Sequence, residues 1–131
     1  MSNNYSFGKI VDLTFDAAIQ RLTEELKKEG FGVLTEIDVK ATMKKKLDLD
    51  TQEYRILGAC NPSLAHQALT AEPTIGLLLP CNVVVRVGET GETHVEFMDP
   101  SAVLELVKKP EIETLASTVR QKLENVMSAL P

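Results

Sequence analysis

Two short segments carry the residue types best suited to chemistry: Cys60-Asn61-Pro62 and Pro80-Cys81-Asn82. In the first, asparagine is a good helix N-cap and proline a favoured first helical residue. A strand ending at Cys60 then hands over to a helix opening at Pro62. That places the thiol beside free amide donors and the positive end of a helix dipole. Such surroundings favour thiolate, and they suit a small anion such as a carboxylate or phosphate. The plainer alternative makes Asn61 a cap, Pro62 a helix start and Cys60 a small buried apolar residue. In the second segment Cys81 alternates with Val83, Val85 and Val87, so its default place is the core. His66 falls about one turn into the helix after Asn61, and Asn82 follows the second thiol. Cys60 is therefore the one catalytic candidate. Cys60, Asn61, His66, Cys81 and Asn82 are the candidate binding residues.

Other chemistries fit less well. Zinc would need three or four ligands to converge, and the soft ligands are only Cys60, Cys81, His66 and His94. No Cys-x-x-Cys or His-x-x-x-His spacing occurs, so no metal is expected. No phosphate loop, dinucleotide fingerprint or Gly-x-Ser-x-Gly elbow is present, so no cofactor is expected. Gly30 and Gly32 flank Phe31 at a helix-to-strand junction, the reverse of the order a dinucleotide fingerprint needs. Asp48 and Asp50 read as turn residues.

The elements that must hold these residues follow from caps and periodicity. Tyr5 to Val11 alternates as a strand. Thr14 caps a helix whose stripe is Phe15, Ala18, Ile19, Leu22 and Leu26, and Gly30 stops it. Phe31 to Ile37 is a second strand, and Asp38 caps a short helix bearing Lys40, Lys44, Lys45 and Lys46. Gln52 to Cys60 is a third strand, followed by the helix from Pro62 to about Ala71. Ile75 to Leu79 reads as a short apolar strand. Asn82 to Val87 and Glu92 to Met98 form a hairpin around Gly88-Glu89-Thr90-Gly91. Ser101 to Val107 is a short helix, and a final one runs from Pro110 to about Leu130.

The expected fold is a single α+β domain over residues 1–131, with a loose start at about 1–4. Its sheet is expected to be mixed, of about six strands, with helices packed mainly on one face. Several strands are apolar on both sides: Val83 and Val85 oppose Val84, and Ile56 opposes Leu57. Strands buried on both faces read this way, and a second copy of the chain is the simplest cover. A homodimer is therefore expected. The length of 131 residues and the 44% hydrophobic content suit one globular domain. A net charge of −5 and the lack of tryptophan disfavour nucleic acid as a partner. No apolar run approaches the roughly 18 residues of a membrane span. Two cysteines are too few for a secreted disulfide scaffold, so the cytoplasm is the expected location.

The segments Glu29-Gly30-Phe31-Gly32-Val33, Glu36-Ile37-Asp38-Val39-Lys40, Gly58-Ala59-Cys60-Asn61-Pro62 and Leu79-Pro80-Cys81-Asn82-Val83 add a family likeness. In their order the chain resembles the bacterial and archaeal family catalogued as domain of unknown function 302. The resemblance implies a compact α+β fold with a mixed sheet, commonly dimeric, and no established reaction. The family's Gly-x-Cys-Asn-Pro and Pro-Cys stretches fall here on Gly58, Cys60, Asn61, Pro62, Pro80 and Cys81. In some members the residue after the second cysteine is basic, whereas here it is Asn82, which weakens an anion site relying on that charge. The function expected from all this is a homodimeric binding or accessory protein with a small pocket near Cys60, Asn61 and Cys81. Its ligand would be small and anionic or thiol-reactive. The alternative is a redox or sulfur-handling enzyme using Cys60.

Overall fold

The structure is a computed structural model that describes residues 3–131. Of the expected loose start, Met1 and Ser2 lie outside the described residues. Asn3 accepts hydrogen bonds from the Tyr5 amide and the Ser6 hydroxyl.

Five strands form one sheet: β1 (Ser6–Val11), β2 (Gly32–Asp38), β3 (Tyr54–Cys60), β4 (Cys81–Val87) and β5 (Thr93–Met98). Their order is β1-β5-β4-β3-β2, and every neighbouring pair is antiparallel. This corrects two expectations. The sheet has five strands rather than about six, and it is antiparallel rather than mixed. The second correction reflects connections through the helices Val39–Leu47 and Pro62–Ala71, which permit either strand direction; the first traces to Ile75–Leu79. That segment lies largely in a 3-10 helix, Pro73–Leu78, with Pro73 in its first turn and the Glu72 carboxylate accepting from the Thr74 amide. A short apolar run does not distinguish a strand from a buried turn of helix, and here a proline stands on each side. Ile75 anchors the turn by being buried to 1% exposure.

The helices are α1 (Phe15–Lys28), α2 (Val39–Leu47), α3 (Pro62–Ala71), α4 (Pro100–Leu104) and α5 (Pro110–Ala129). Thr14, Asp38, Asn61 and Asp99 cap the first four, each accepting from an amide of the opening turn. α4 runs on as a short 3-10 turn, Glu105–Val107, so the helix expected over Ser101 to Val107 is present in two parts.

Side chains on one sheet face, including Leu57, Val83, Val85, Val95 and Phe97, form the main core with Leu22 and Leu26 of α1 and Leu123 and Val126 of α5. Each such large apolar side chain contributes roughly 1.5–3 kcal/mol when fully buried. A second, separate cluster joins Ala68 of α3, Ile75, Leu104 of α4, and Ile112 and Ala116 of α5. The gap between the two clusters holds the candidate site. On the opposite sheet face the register aligns Ile37, Ile56 and Val84 across β2, β3 and β4. Ile10 and Ile37 are each about half exposed there, at 58% and 49%.

Candidate functional site

The segments around the two cysteines first have structural duties to discharge. A side chain at Gly58 would run into the Thr35 hydroxyl and the Pro80 ring, whose Cγ would stand 2.7 Å from the new Cβ. Such closeness excludes any residue but glycine without movement of its neighbours. The Leu79–Pro80 peptide is cis. Asn61 serves two helices at once. Its Oδ1 accepts from the Leu64 amide at 3.3 Å, capping α3, and its Nδ2 donates to the Glu29 carbonyl at 3.4 Å, closing the end of α1. Gly30 follows with φ 85, and a Cβ there would meet Asn61 Nδ2 at 3.0 Å. The Gly30, Gly58, Asn61, Pro62 and Pro80 pattern is thus accounted for by chain packing. Cys81 is itself part of the main core, at 6% exposure, which leaves the half-buried Cys60 as the one thiol outside that account.

Both thiols line one cavity of about 310 Å³. Ala59 pairs with Cys81 in the β3–β4 ladder, which brings Cys60 next to it at the sheet end. Phe31, Leu34 and Thr35 wall the β2 side. Leu64, Ala65, Ala68 and Leu69 of α3 form a second wall. Gly76, Leu79, Leu104, Leu115 and Val119 close the remainder. Leu34 is an extra residue where the β2–β3 register shifts between Val33 and Thr35. Such a bulge re-aims its side chain, and here it reaches the cavity mouth while staying 66% exposed.

The electrostatics are those of an apolar site. No Lys, Arg, His, Asp or Glu side chain is in the lining. Cys60 and Cys81 are free thiols, half-buried and buried respectively. Burial pushes the Cys60 thiol up. Burial, and secondly the neighbouring Cys60, push Cys81 up to about 11. Both thiols therefore stay protonated at neutral pH, opposite to what a nucleophilic thiolate at a helix N-terminus requires. Two opening amides of α3 are engaged by Asn61, the Leu64 N–H by the side chain and the Ala65 N–H by the carbonyl at 2.8 Å.

Of the five candidate residues, Cys60, Asn61 and Cys81 come together around the cavity. His66 is exposed on α3 and is not in the lining. Asn82 pairs with Gly58, is exposed, and is likewise outside it. Leu34, Leu69, Gly76 and Leu104 are lining residues that nothing in the local sequence marks as such. Leu115 and Val119 belong to the apolar stripe of α5, which is readable as a stripe but not as a cavity wall.

The sequence model of the family described as domain of unknown function DUF302 matches residues 7–130. The chain belongs to the DUF302 family. The crystal structure of an uncharacterized conserved DUF302 protein from Bacillus stearothermophilus is similar, with a TM-score of 0.91 and 28% identity over 98% of this chain and 100% of that one. No curated protein matches. The DUF302 match takes in every element that walls the cavity, so the site is part of the family's domain and not an appendage to it. Among the described residues no helix is long and apolar enough to cross a membrane.

Proposed function

We propose that this DUF302 chain is a homodimeric binding protein whose cavity beside Cys60, Asn61 and Cys81 takes a small ligand. The observation that carries the reading is the cavity itself. Its volume of about 310 Å³ lies at the lower end of small-molecule sites, and both cysteines are among its lining residues. The helices lie mainly on one sheet face. The other face, with its Ile37, Ile56 and Val84 row and exposed Ile10, supports pairing with a second copy. Two free thiols in one cavity suit a reducing compartment, which favours the cytoplasm.

A methyl-resolved NMR fragment screen tests the binding reading. Hits are expected to shift the methyls of Leu64, Leu69, Leu104 and Leu115 together. A screen to millimolar concentration that moves none of them removes it. Sedimentation velocity at micromolar concentration tests the dimer, and a single monomer species refutes that part.

A further inference from the structure

We infer that the ligand is an uncharged, mainly apolar molecule of about bicyclic-ring size, carrying at most one small polar group directed at the mouth. This rests on the binding reading and names its ligand class.

Size comes first. A cavity of roughly 150 Å³ lined by aliphatic and aromatic groups accepts benzene. Here the volume is about 310 Å³, twice that yardstick. Two fused rings, or a branched chain of similar bulk, fill it.

Charge comes second. An anion would need a cationic side chain or free amides, and the lining holds neither in quantity. No basic side chain faces the space. In α3, Pro62 has no amide hydrogen, the Leu64 and Ala65 amides are already bonded to Asn61, and Ser63, whose amide is left over, is exposed and outside the lining. Asn61 makes one bond from each end of its amide, which fixes its orientation and leaves a single N–H for a neutral partner. The net charge of −5 adds a mild long-range repulsion. A cation fares no better, since no carboxylate lines the cavity. Burying an ion without a partner is expensive, so a charged ligand is rejected.

Polarity comes third. With Asn61 engaged, Thr35 is the one hydroxyl of the lining, and it sits at the exposed mouth. It provides for a single hydroxyl or carbonyl on the ligand. Cys60 and Cys81 are lining residues, and their thiols offer polarizable, weakly polar surface of the kind that packs well on an aromatic edge. Finally, Leu34 and Leu69 leave apolar surface uncovered at the mouth, 66% and 41% exposed. An apolar ligand covers it.

The test is isothermal titration calorimetry at pH 7 with two probes of one shape, neutral 1-naphthol and anionic 1-naphthoate. 1-Naphthol is expected to bind at least ~10-fold tighter, from the cost of burying an unpaired charge. Two cavity-filling variants on different elements locate the binding. Gly76→Val projects into open space, since a Cβ there meets only Leu69 Cδ2, at 4.0 Å. Ala65→Phe fills from α3. Each is expected to weaken 1-naphthol at least ~10-fold, because the space they occupy is the space the rings need. Thermal melts show which variants remain folded, and either one alone suffices. Cavity-dependent binding in which 1-naphthoate equals or exceeds 1-naphthol overturns the ligand class while leaving the binding reading intact. Failure of both probes to bind in a cavity-dependent way overturns both.

Discussion

Asn61→Ala separates the structural duty of this segment from its ligand role. Two bonds are lost: the cap on α3 from Oδ1 to the Leu64 amide, and the tie from Nδ2 to the Glu29 carbonyl. An N-cap deletion costs about 1 kcal/mol. A neutral hydrogen bond contributes about 1 kcal/mol as well, and at 3.4 Å the Glu29 bond belongs no higher than that. Their sum is about 2 kcal/mol. Unfolding entropy of roughly 2.1 cal/mol/K per residue converts this to a drop in Tm of about 7 °C for a chain of this length. Asn61→Asp keeps the cap and removes only the donor, so it is expected to lose roughly half as much. Urea titrations of the three proteins measure both differences directly. An Asn61→Ala loss below about 0.5 kcal/mol, or an Asp variant as damaged as Ala, would refute the double-cap account.

Gly58→Ala places a Cβ against the Thr35 hydroxyl and the Pro80 ring and is expected to cost at least ~1–3 kcal/mol by denaturant melt, as overpacking does. Above neutrality, stability is expected to fall: Cys81 holds its proton up to about 11 in the folded state, while an unfolded thiol releases it near 8.5. The loss therefore begins as pH rises past about 8.5 and grows toward 11, and Cys81→Ser or Cys81→Ala should flatten it in a melt-versus-pH series. On the acid side, the hydrogen bond from Arg86 to Glu96 holds that carboxyl below its usual range, so its contribution is complete above roughly pH 4.3 and is lost as pH falls further. Glu96→Gln should remove part of that acid sensitivity, by no more than ~1 kcal/mol because the pair is partly exposed, and unchanged acid curves would dismiss the pair's role.

Much of the fold is legible in local chemistry. Caps at Thr14, Asp38, Asn61 and Asp99, the stop at Gly30 and the hairpin between β4 and β5 are each written in a few adjacent residues. Strand direction is not written there. Antiparallel neighbours β2 and β3 are joined through α2, and β3 and β4 through α3 and the 3-10 helix, connections long enough to permit either sense. The Ile75 segment misleads because five apolar residues read as a buried strand, whereas in the 3-10 turn only Ile75 is buried and Leu77 is 88% exposed. The candidate site divides in the same way. Cys60, Asn61 and Cys81 stand out by type and motif, while the cavity depends on Leu34, Leu104 and Leu115, which come from separate elements and meet only in three dimensions. Sequence proximity puts His66 near the site, but the phase of α3 leaves it exposed.

Alkylation of Cys60 by neutral N-ethylmaleimide reports whether the thiols and the cavity form one ligand site, as proposed. With 1-naphthol at saturation, Cys60 should react at least ~10-fold more slowly than in the unliganded protein, because the reagent and the rings compete for the same space. Gly76→Val should lower the reactivity without any ligand. An alkylation rate for Cys60 that saturating 1-naphthol leaves unchanged would rule out a shared site.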